Sequence, residues 1–263
     1  MFVPTRAVAY ACGMAAPEYR RSALRELAAA AGQKFESAPA EDVLRWALEA
    51  FGDEFCLSAS MADAVVIDLA TRIQPGVNVI FLDTGYHFSQ TLETKDRVSE
   101  RYPIRLHTIL PKQTVAEQDQ MFGSRLHDRD PDACCNLRKV EPLRRSLAAY
   151  VAWASGIRRD EADSRRRVGV VEWDANRHMV KVNPIATWTQ DDVDRYIAEY
   201  DVVVNPLLAQ GYPSIGCEPC TRKVAGGEDP RSGRWAGSGK TECGLHVDSS
   251  GRLVRSSGES PAT

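Results

Sequence analysis

The chain has 263 residues, of which 43% are hydrophobic, and its 33 basic and 36 acidic residues give a formal net charge of −3. This length suits about one large domain or two small ones, and the charge speaks against a protein that is held to nucleic acid by bulk positive charge. No run of about 20 apolar residues occurs and the first residues do not form a signal-peptide pattern, so we expect a cytoplasmic protein without a membrane span.

Hydrophobic periodicity predicts two N-terminal helices, over residues 17–31 and 39–51, after which strands and helices alternate. Strands are predicted over residues 54–57, 77–82, 104–110, 150–154, 168–173 and 179–182. Further helices are predicted over residues 62–73, 88–101, 115–122, 137–147 and 190–200. Pro142 weakens the prediction for residues 137–147, and Thr189 is the cap of the last helix. The alternation indicates an α/β fold with a Rossmann-like parallel sheet and helices on both faces.

In such sheets ligands bind beyond the carboxyl ends of the strands. The first strand ends in the sequence SASMAD, where Ser58, Ser60 and Asp63 lead into a helix whose first N–H groups suit an anion. Taken alone these residues are weak evidence for an anion site, and ordinary helix capping is the favoured explanation. Thr84, in the DTG turn after the most strand-like segment, is a candidate nucleotide contact, with a plain turn as its alternative.

The cysteines are the most informative residues of the sequence. There are seven, so they cannot all form internal pairs, and four of them stand in an adjacent pair and a C-x-x-C sequence. These four are Cys134, Cys135, Cys217 and Cys220. Adjacent cysteines bond to each other only with strain, but four thiolates suit zinc or an iron–sulfur cluster. Since zinc sites favour two C-x-x-C pairs, the spacing favours a [4Fe–4S] cluster, with four unrelated buried thiols as the remaining alternative.

Several cations accompany these motifs. Arg138 and Lys139 follow the cysteine pair by about one helical turn, where they can offset thiolate charge or attract an oxyanion. Further arginines at the expected ligand edge and in a glycine-rich loop match tetrahedral oxyanions. They are Arg158, Arg231 and Arg234. Three consecutive arginines at residues 165–167 are predicted to lie in a solvated loop.

Cys243 stands in the sequence ECGLH, shortly before a polar tail that is predicted to be disordered. The glycine beside it indicates an accessible thiol, and His246 is placed to polarise that thiol or to bind an anion. Taken alone, the residue is as consistent with a spare surface thiol as with a nucleophile.

Six stretches between residues 81 and 246 resemble one known family: FLDTGYHF, TVAEQD, CCNLRKVEPL, NPLLAQGYPSIGCEPCT, DPRSGRW and KTECGLH. With them the chain resembles the assimilatory sulfonucleotide reductases, and more narrowly the bacterial iron–sulfur adenosine 5′-phosphosulfate (APS) reductases. The double cysteine, the C-x-x-C and the ECGLH sequences are highly specific in combination. The resemblance implies an adenine nucleotide alpha hydrolase-like sheet and a mobile C-terminal segment.

The resemblance also implies a role for each matched residue. Cys134, Cys135, Cys217 and Cys220 would ligate a [4Fe–4S] cluster. Cys243 would attack APS, release AMP and form an S-sulfocysteine, from which thioredoxin or a glutaredoxin-like donor releases sulfite for cysteine biosynthesis. The substrate contacts would be Ser58, Ser60, Asp63, Thr84, Lys139, Arg158, Arg231, Arg234 and His246. The chain departs from the family at the nucleotide loop, where relatives often carry SxSGxxD and this chain carries SASMAD.

The chain is expected to divide into N-terminal helices (residues 1–51), a nucleotide-binding α/β domain (52–212), a cluster loop with the catalytic segment (213–246) and a disordered tail (247–263). Two other functions stay open. A cluster-bearing thiolation enzyme of the ATP pyrophosphatase type would need an SGGxDS loop, which SASMAD is not. A cluster-containing redox or DNA-binding regulator would want a basic surface. The family resemblance is compatible with a homo-oligomer.

Overall fold

The computed structural model describes residues 17–238 and 240–245. Two N-terminal helices lead into a six-stranded sheet whose strands are joined largely by helices. The helices are α1 (Pro17–Phe35), α2 (Ala40–Phe51), α3 (Val65–Ile73), α4 (Ser89–Arg101), α5 (Val115–Phe122), α6 (Leu126–Arg129), α7 (Pro131–Cys135), α8 (Glu141–Leu147) and α9 (Gln190–Tyr200). The strands are β1 (Phe55–Ser58), β2 (Val77–Leu82), β3 (Ile104–Ile109), β4 (Ala152–Ser155), β5 (Val171–Asp174) and β6 (Met179–Val182). Within these ranges no helix is long and apolar enough to cross a bilayer.

Most of the predicted elements are confirmed, and β2, α5 and β6 begin and end at the predicted residues. The Thr189 cap is also confirmed, because its side chain accepts a hydrogen bond from the Asp192 N–H, 3.2 Å away. The short helices α6 and α7 were not predicted, since neither is long enough to show a hydrophobic repeat. Instead, α7 depends on its start, where the Asp130 carboxylate accepts a hydrogen bond from the Ala133 N–H.

The sheet has the strand order β3-β2-β1-β4-β6-β5. The chain runs outward from β1 to β3 and then returns to place β4 on the other side of β1, which makes a switch point between β1 and β4. The predicted parallel sheet is confirmed except at one edge, where β5 runs antiparallel to β6. Only residues 175–178 join these two strands, and so short a connection permits a hairpin but not a crossover.

Both faces of the sheet are packed, as predicted. Because side chains alternate along a strand, Phe55 and Leu57 of β1 join the large core beneath the N-terminal helices, while Cys56 points to the opposite face. On that opposite face Cys56 belongs to a smaller core with Leu143 and Leu147 of α8. The helix that follows the cysteine pair is therefore anchored directly on the sheet.

Candidate active site

The loops predicted to hold a ligand lie at the carboxyl edge of the sheet. Ser58 ends β1 beside Ser155 at the end of β4, so the two strands part at the switch point. Ser60 is exposed in the loop that follows, and the Asp63 carboxylate accepts a hydrogen bond from the Val65 N–H (3.0 Å). Burial raises the pKa of Asp63 in spite of that hydrogen bond. Asp63 therefore contributes to the start of α3, and its contact with a nucleotide stays a prediction.

Met61 occupies this loop in a conformation that methionine rarely adopts. Its φ is 62°, in the left-handed region where a side chain strains the backbone. The side chain is fully buried in the large core, and its carbonyl accepts a hydrogen bond from Asn205 Nδ2 (3.1 Å). When the serines of SASMAD and SxSGxxD are aligned, Met61 falls opposite a glycine, which adopts such a φ freely. Packing thus maintains the loop shape here without a glycine.

A widened helical turn follows the cysteine pair. Residues Asn136–Val140 form a π-helical segment, and the Glu141 N–H donates to the Asn136 carbonyl across it. Such turns occur frequently at functional sites. The segment joins α7 to α8, and Pro142 lies in the first turn of α8, where its missing N–H is tolerated. The helical prediction for residues 137–147 is therefore confirmed, with a local deviation that carries Arg138 and Lys139.

The four predicted cluster ligands line one pocket. They are Cys134 and Cys135 at the end of α7, and Cys217 and Cys220 from a loop with a 3₁₀ turn. Tyr86 and Trp235 complete two of its walls. The Thr84 hydroxyl lies 3.4 Å from Cys217 Sγ and is almost fully buried, so a predicted nucleotide contact touches a predicted cluster ligand. The turn after β2 and the cysteine pocket are consequently contiguous.

The charges at this pocket explain why it needs cations. Burial and then the neighbouring thiols raise the pKa of Cys134 to about 12 and that of Cys220 to about 11. Burial alone would lower the pKa of Lys139, but Cys217 and Cys243 outweigh it and the pKa is raised. Lys139 is thus an ammonium group that both the pocket thiols and Cys243 attract.

Arg138 is a second buried cation at the pocket. Its Nη1 donates to the Thr84 carbonyl (2.8 Å), its Nε donates to Gln118 (2.8 Å), and the guanidinium lies 4.9 Å from the centre of the Tyr86 ring. Its charge also opposes the rise in the pKa of Cys134. Arg138 therefore ties the turn after β2 to the helix that carries the cysteine pair.

The loop with the C-x-x-C sequence folds back so that Arg234 lies over its start. An isolated bridge pairs Thr221 with Arg234, and Arg234 Nη1 donates to the Ser214 hydroxyl and the Ile215 carbonyl, each at 3.2 Å. The guanidinium packs on the Cα of Gly216, where a Cβ would lie 2.8 Å from Nε and closer still to Nη2. Glycine at this position is therefore required for the observed position of Arg234.

Arg158 reaches the carboxyl edge after β4, as predicted, but its side chain is already bound. Nη2 donates to Gln190 Oε1 (2.7 Å) and Nε to Asp160 Oδ1 (3.2 Å). The same guanidinium lowers the pKa of Asp63, against the larger effect of burial. Arg158 thus shapes the electrostatics of the nucleotide loop, and its direct contact with a substrate stays a prediction.

Residues 240–245, here called the arm, carry Cys243 across the surface without regular secondary structure. Lys240 forms an ion pair with Asp132 and lies 5.6 Å from the Trp235 ring centre. At the other end, Leu245 packs against the smaller core and its carbonyl accepts a hydrogen bond from Arg177 (3.3 Å). Cys243 is half-buried between these anchors, and its charge would raise the pKa of Cys135.

The middle of the arm is fixed by arginines, one of which contradicts a prediction. Arg165 is buried and donates to both carboxylate oxygens of Glu242, at 2.7 and 2.8 Å, and to Glu161. The expected solvated loop at residues 165–167 is therefore wrong for Arg165, although Arg166 is exposed as predicted. The reason is the 3₁₀ turn Asp163–Arg165, which directs Arg165 towards two carboxylates.

The remaining candidate residues lie apart from this site or outside the described ranges. Cys56 is buried in β1, and burial raises the pKa of its thiol, so it behaves as a small hydrophobic residue. His246, Cys12 and the predicted tail over residues 247–263 lie outside the described residues.

Comparison with known proteins finds relatives over most of the chain. A family model for the phosphoadenosine phosphosulfate reductase domain matches residues 55–223. An adenosine 5′-phosphosulfate reductase of Streptomyces coelicolor is 57% identical over 223 residues, which are 85% of this chain and 94% of the relative. One of Mycolicibacterium smegmatis is 50% identical over 224 residues, covering 85% and 95%. The crystal structure of phosphoadenylyl-sulfate (PAPS) reductase from Candida auris, a phosphate complex, has a TM-score of 0.64 and 27% identity, covering 80% of this chain and 99% of that chain.

Proposed function

The chain belongs to the phosphoadenosine phosphosulfate reductase family, as its motifs predicted, and we propose that it reduces APS to sulfite and AMP. The observation that carries this proposal is the gathering of four cysteines and Lys139 around one pocket, with Cys243 within electrostatic reach. The curated relatives named above are adenosine 5′-phosphosulfate reductases, which supports a substrate without a 3′-phosphate. Both relatives are oxidoreductases by name, and this chain is one too.

The pocket fits a [4Fe–4S] cluster by its donor set. Three of its four thiols are buried, and as thiolates the four would repel one another, so positive charge must replace their protons. Among the residues that the structure describes, no three His, Cys, Asp or Glu side chains converge on the position of one metal ion. It is the sequence spacing, an adjacent pair with a single C-x-x-C, that favours a multinuclear cluster over a single zinc ion. When bound, the cluster would supply a fixed local charge beside Lys139.

The substrate is an anion at both its phosphate and its sulfate group, and the site offers cations for it. Lys139 lines the cysteine pocket, and Arg234 lies over the start of the loop with the C-x-x-C sequence. We expect their charges, together with that of Arg231, to reduce the repulsion between substrate and thiolate. The adenosine would lie towards Ser58, Ser60 and Asp63 at the switch point, where sheets of this type bind nucleotides.

Cys243 would react in two steps. Its thiolate attacks the sulfur of APS, the bond from that sulfur to the bridging oxygen breaks, and AMP leaves with the electron pair, which produces S-sulfocysteine. A thiolate of thioredoxin, or of a glutaredoxin-like protein, then attacks Cys243 Sγ and sulfite leaves with the electron pair. The second thiol of the donor resolves the mixed disulfide, so the donor is oxidised by two electrons and Cys243 is regenerated.

The test is a sulfite assay on anaerobically purified protein, with APS or PAPS and reduced thioredoxin. Cys243→Ser should abolish sulfite release while retaining iron, colour and AMP binding. Cys217→Ser should lose iron and acid-labile sulfide. Cys56→Ala is the matched control, since Cys56 is buried away from the pocket, and it should keep both properties.

Two outcomes would reject the proposal. Full turnover by Cys243→Ser would show that Cys243 is not the nucleophile. Pyrophosphate release from ATP without sulfite formation would indicate a thiolation enzyme. Faster turnover of PAPS than of APS would correct the substrate while leaving the reaction type in place.

A further inference from the structure

Glu242, the residue directly before Cys243, makes more side-chain hydrogen bonds than any other described residue of the arm. Glu242 has only 5% of its side chain exposed, although the arm itself lies on the surface. Its carboxylate accepts hydrogen bonds from Arg165 Nε (2.7 Å), Arg165 Nη2 (2.8 Å), Ser164 Oγ (3.0 Å) and Arg231 Nη2 (3.2 Å). A carboxylate that is buried at this depth is stable only when it is paired as fully as this one.

The contact with Arg165 has the geometry of a strong and specific pair. A guanidinium that donates from two nitrogens to the two oxygens of one carboxylate fixes orientation as well as distance. Arg165 is itself held in place by Glu161, so it is presented to the arm by the body of the protein. Burial opposes ionisation of Glu242, but the hydrogen bond and charge of Arg165 lower its pKa overall.

Fixing Glu242 also fixes Cys243, because consecutive Cα atoms are only about 3.8 Å apart. Arg231 adds to this by donating to the Thr241 carbonyl (2.9 Å), so the backbone is held on the other side of Glu242 as well. Beyond Cys243, Gly244 adopts a φ of 82°, which glycine reaches without strain.

We propose that the Arg165–Glu242 pair is a latch that docks the arm on the body of the protein and thereby positions the Cys243 thiol. Arg165 is a positioning residue, since it reaches Cys243 only through Glu242. The functional role of the latch rests on the proposed function. In that function Cys243 reacts with APS while the arm is docked, and with thioredoxin afterwards. The docking itself does not depend on that function.

The docking is tested by the rate at which iodoacetamide alkylates Cys243, followed by mass spectrometry of the C-terminal peptide of the holoenzyme. Glu242→Gln and Arg165→Met should each speed alkylation about tenfold or more, since each removes charge-assisted hydrogen bonds. The double variant should alkylate no faster than Glu242→Gln alone, because both substitutions break one interaction. Arg166→Met is the matched control: it breaks the exposed pair with Asp163 and should change nothing.

The sulfite assay separates a positioning role from a structural one. The latch predicts that Glu242→Gln lowers kcat about tenfold while KM for APS and the urea midpoint change little. Unchanged alkylation in both single variants, or a double variant in which the two effects multiply, would refute the latch. If Cys243 is not the nucleophile, Glu242→Gln should still speed alkylation but leave sulfite release unchanged. That result would reject the proposed function of Cys243 and retain the latch.

Discussion

Cys134 and Cys135 lie on a helix whose continuation is buried in the core, whereas Cys243 lies on an arm that has no regular secondary structure. Leu143 of α8 is fully buried against the sheet, and Leu147 is nearly so. The arm is fixed instead by side-chain ion pairs and hydrogen bonds, with one half-buried leucine at its end. One site is thus built from two regions, the cysteine helix and the arm, that are stabilised by different interactions.

The difference matches what each region would have to do. Cluster ligands must keep their positions throughout a catalytic cycle, and apolar burial of a helix is lost only when the surrounding structure unfolds. In the proposed function the Cys243 thiol would carry a sulfonate to another protein, and for that it would have to leave the site. Ion pairs and a few hydrogen bonds allow that, because they can break locally without opening the core.

The largest expected effect on stability comes from shortening a buried side chain of α8, the helix that continues from the cysteine pair. Leu143→Ala removes a fully buried side chain and should lower the free energy of unfolding by about 2–5 kcal/mol in urea titrations. Leu245→Ala on the arm should cost less than about 1 kcal/mol, because that side chain is half-buried and the arm can detach alone. Equal costs at the two positions would mean that both regions belong to one cooperative unit.

A smaller effect is expected at Gly216, in the loop that carries the C-x-x-C sequence. Alanine there would displace the Arg234 guanidinium, the flexible end of a long side chain, so stability should change by less than about 1 kcal/mol. If Arg234 binds the anionic substrate, the affinity for APS measured by calorimetry should fall about tenfold. Gly226→Ala is the matched control, since a Cβ at Gly226 meets open space. An unchanged affinity for APS in Gly216→Ala would show that Arg234 does not bind the substrate.

Local sequence patterns were sufficient to group the four pocket cysteines and to predict the helix that follows the cysteine pair. They were insufficient for the short helix α7 and for the contacts of the arm. Strands such as β2 and the cysteine spacing are short-range signals, which a sequence displays directly. Arg165 and Glu242 are 77 positions apart, and no local pattern indicates which of three consecutive arginines turns inward. Among the features that were not predicted, only the antiparallel direction of β5 had a local signal. Its four-residue connection to β6 is too short for the crossover that a parallel pair requires.

The conformation of Met61 was equally hidden, since it depends on packing from the whole core. That dependence predicts the smallest of the effects considered, a difference in stability between two substitutions at Met61. The difference tests whether core packing fixes the conformation of this loop. Met61→Ala and Met61→Gly both remove the buried side chain, but only glycine also relieves the left-handed strain at φ 62°.

We therefore expect Met61→Gly to be the more stable of the two by about 1 kcal/mol in urea titrations, although glycine is ordinarily the worse residue. Ala70→Gly, in the interior of α3, is the control and should show the ordinary loss. If Met61→Ala proved more stable than Met61→Gly, the loop would have relaxed out of the left-handed conformation. The loop at the end of β1 would then resemble the arm, which is held by its contacts and free to move when they are lost.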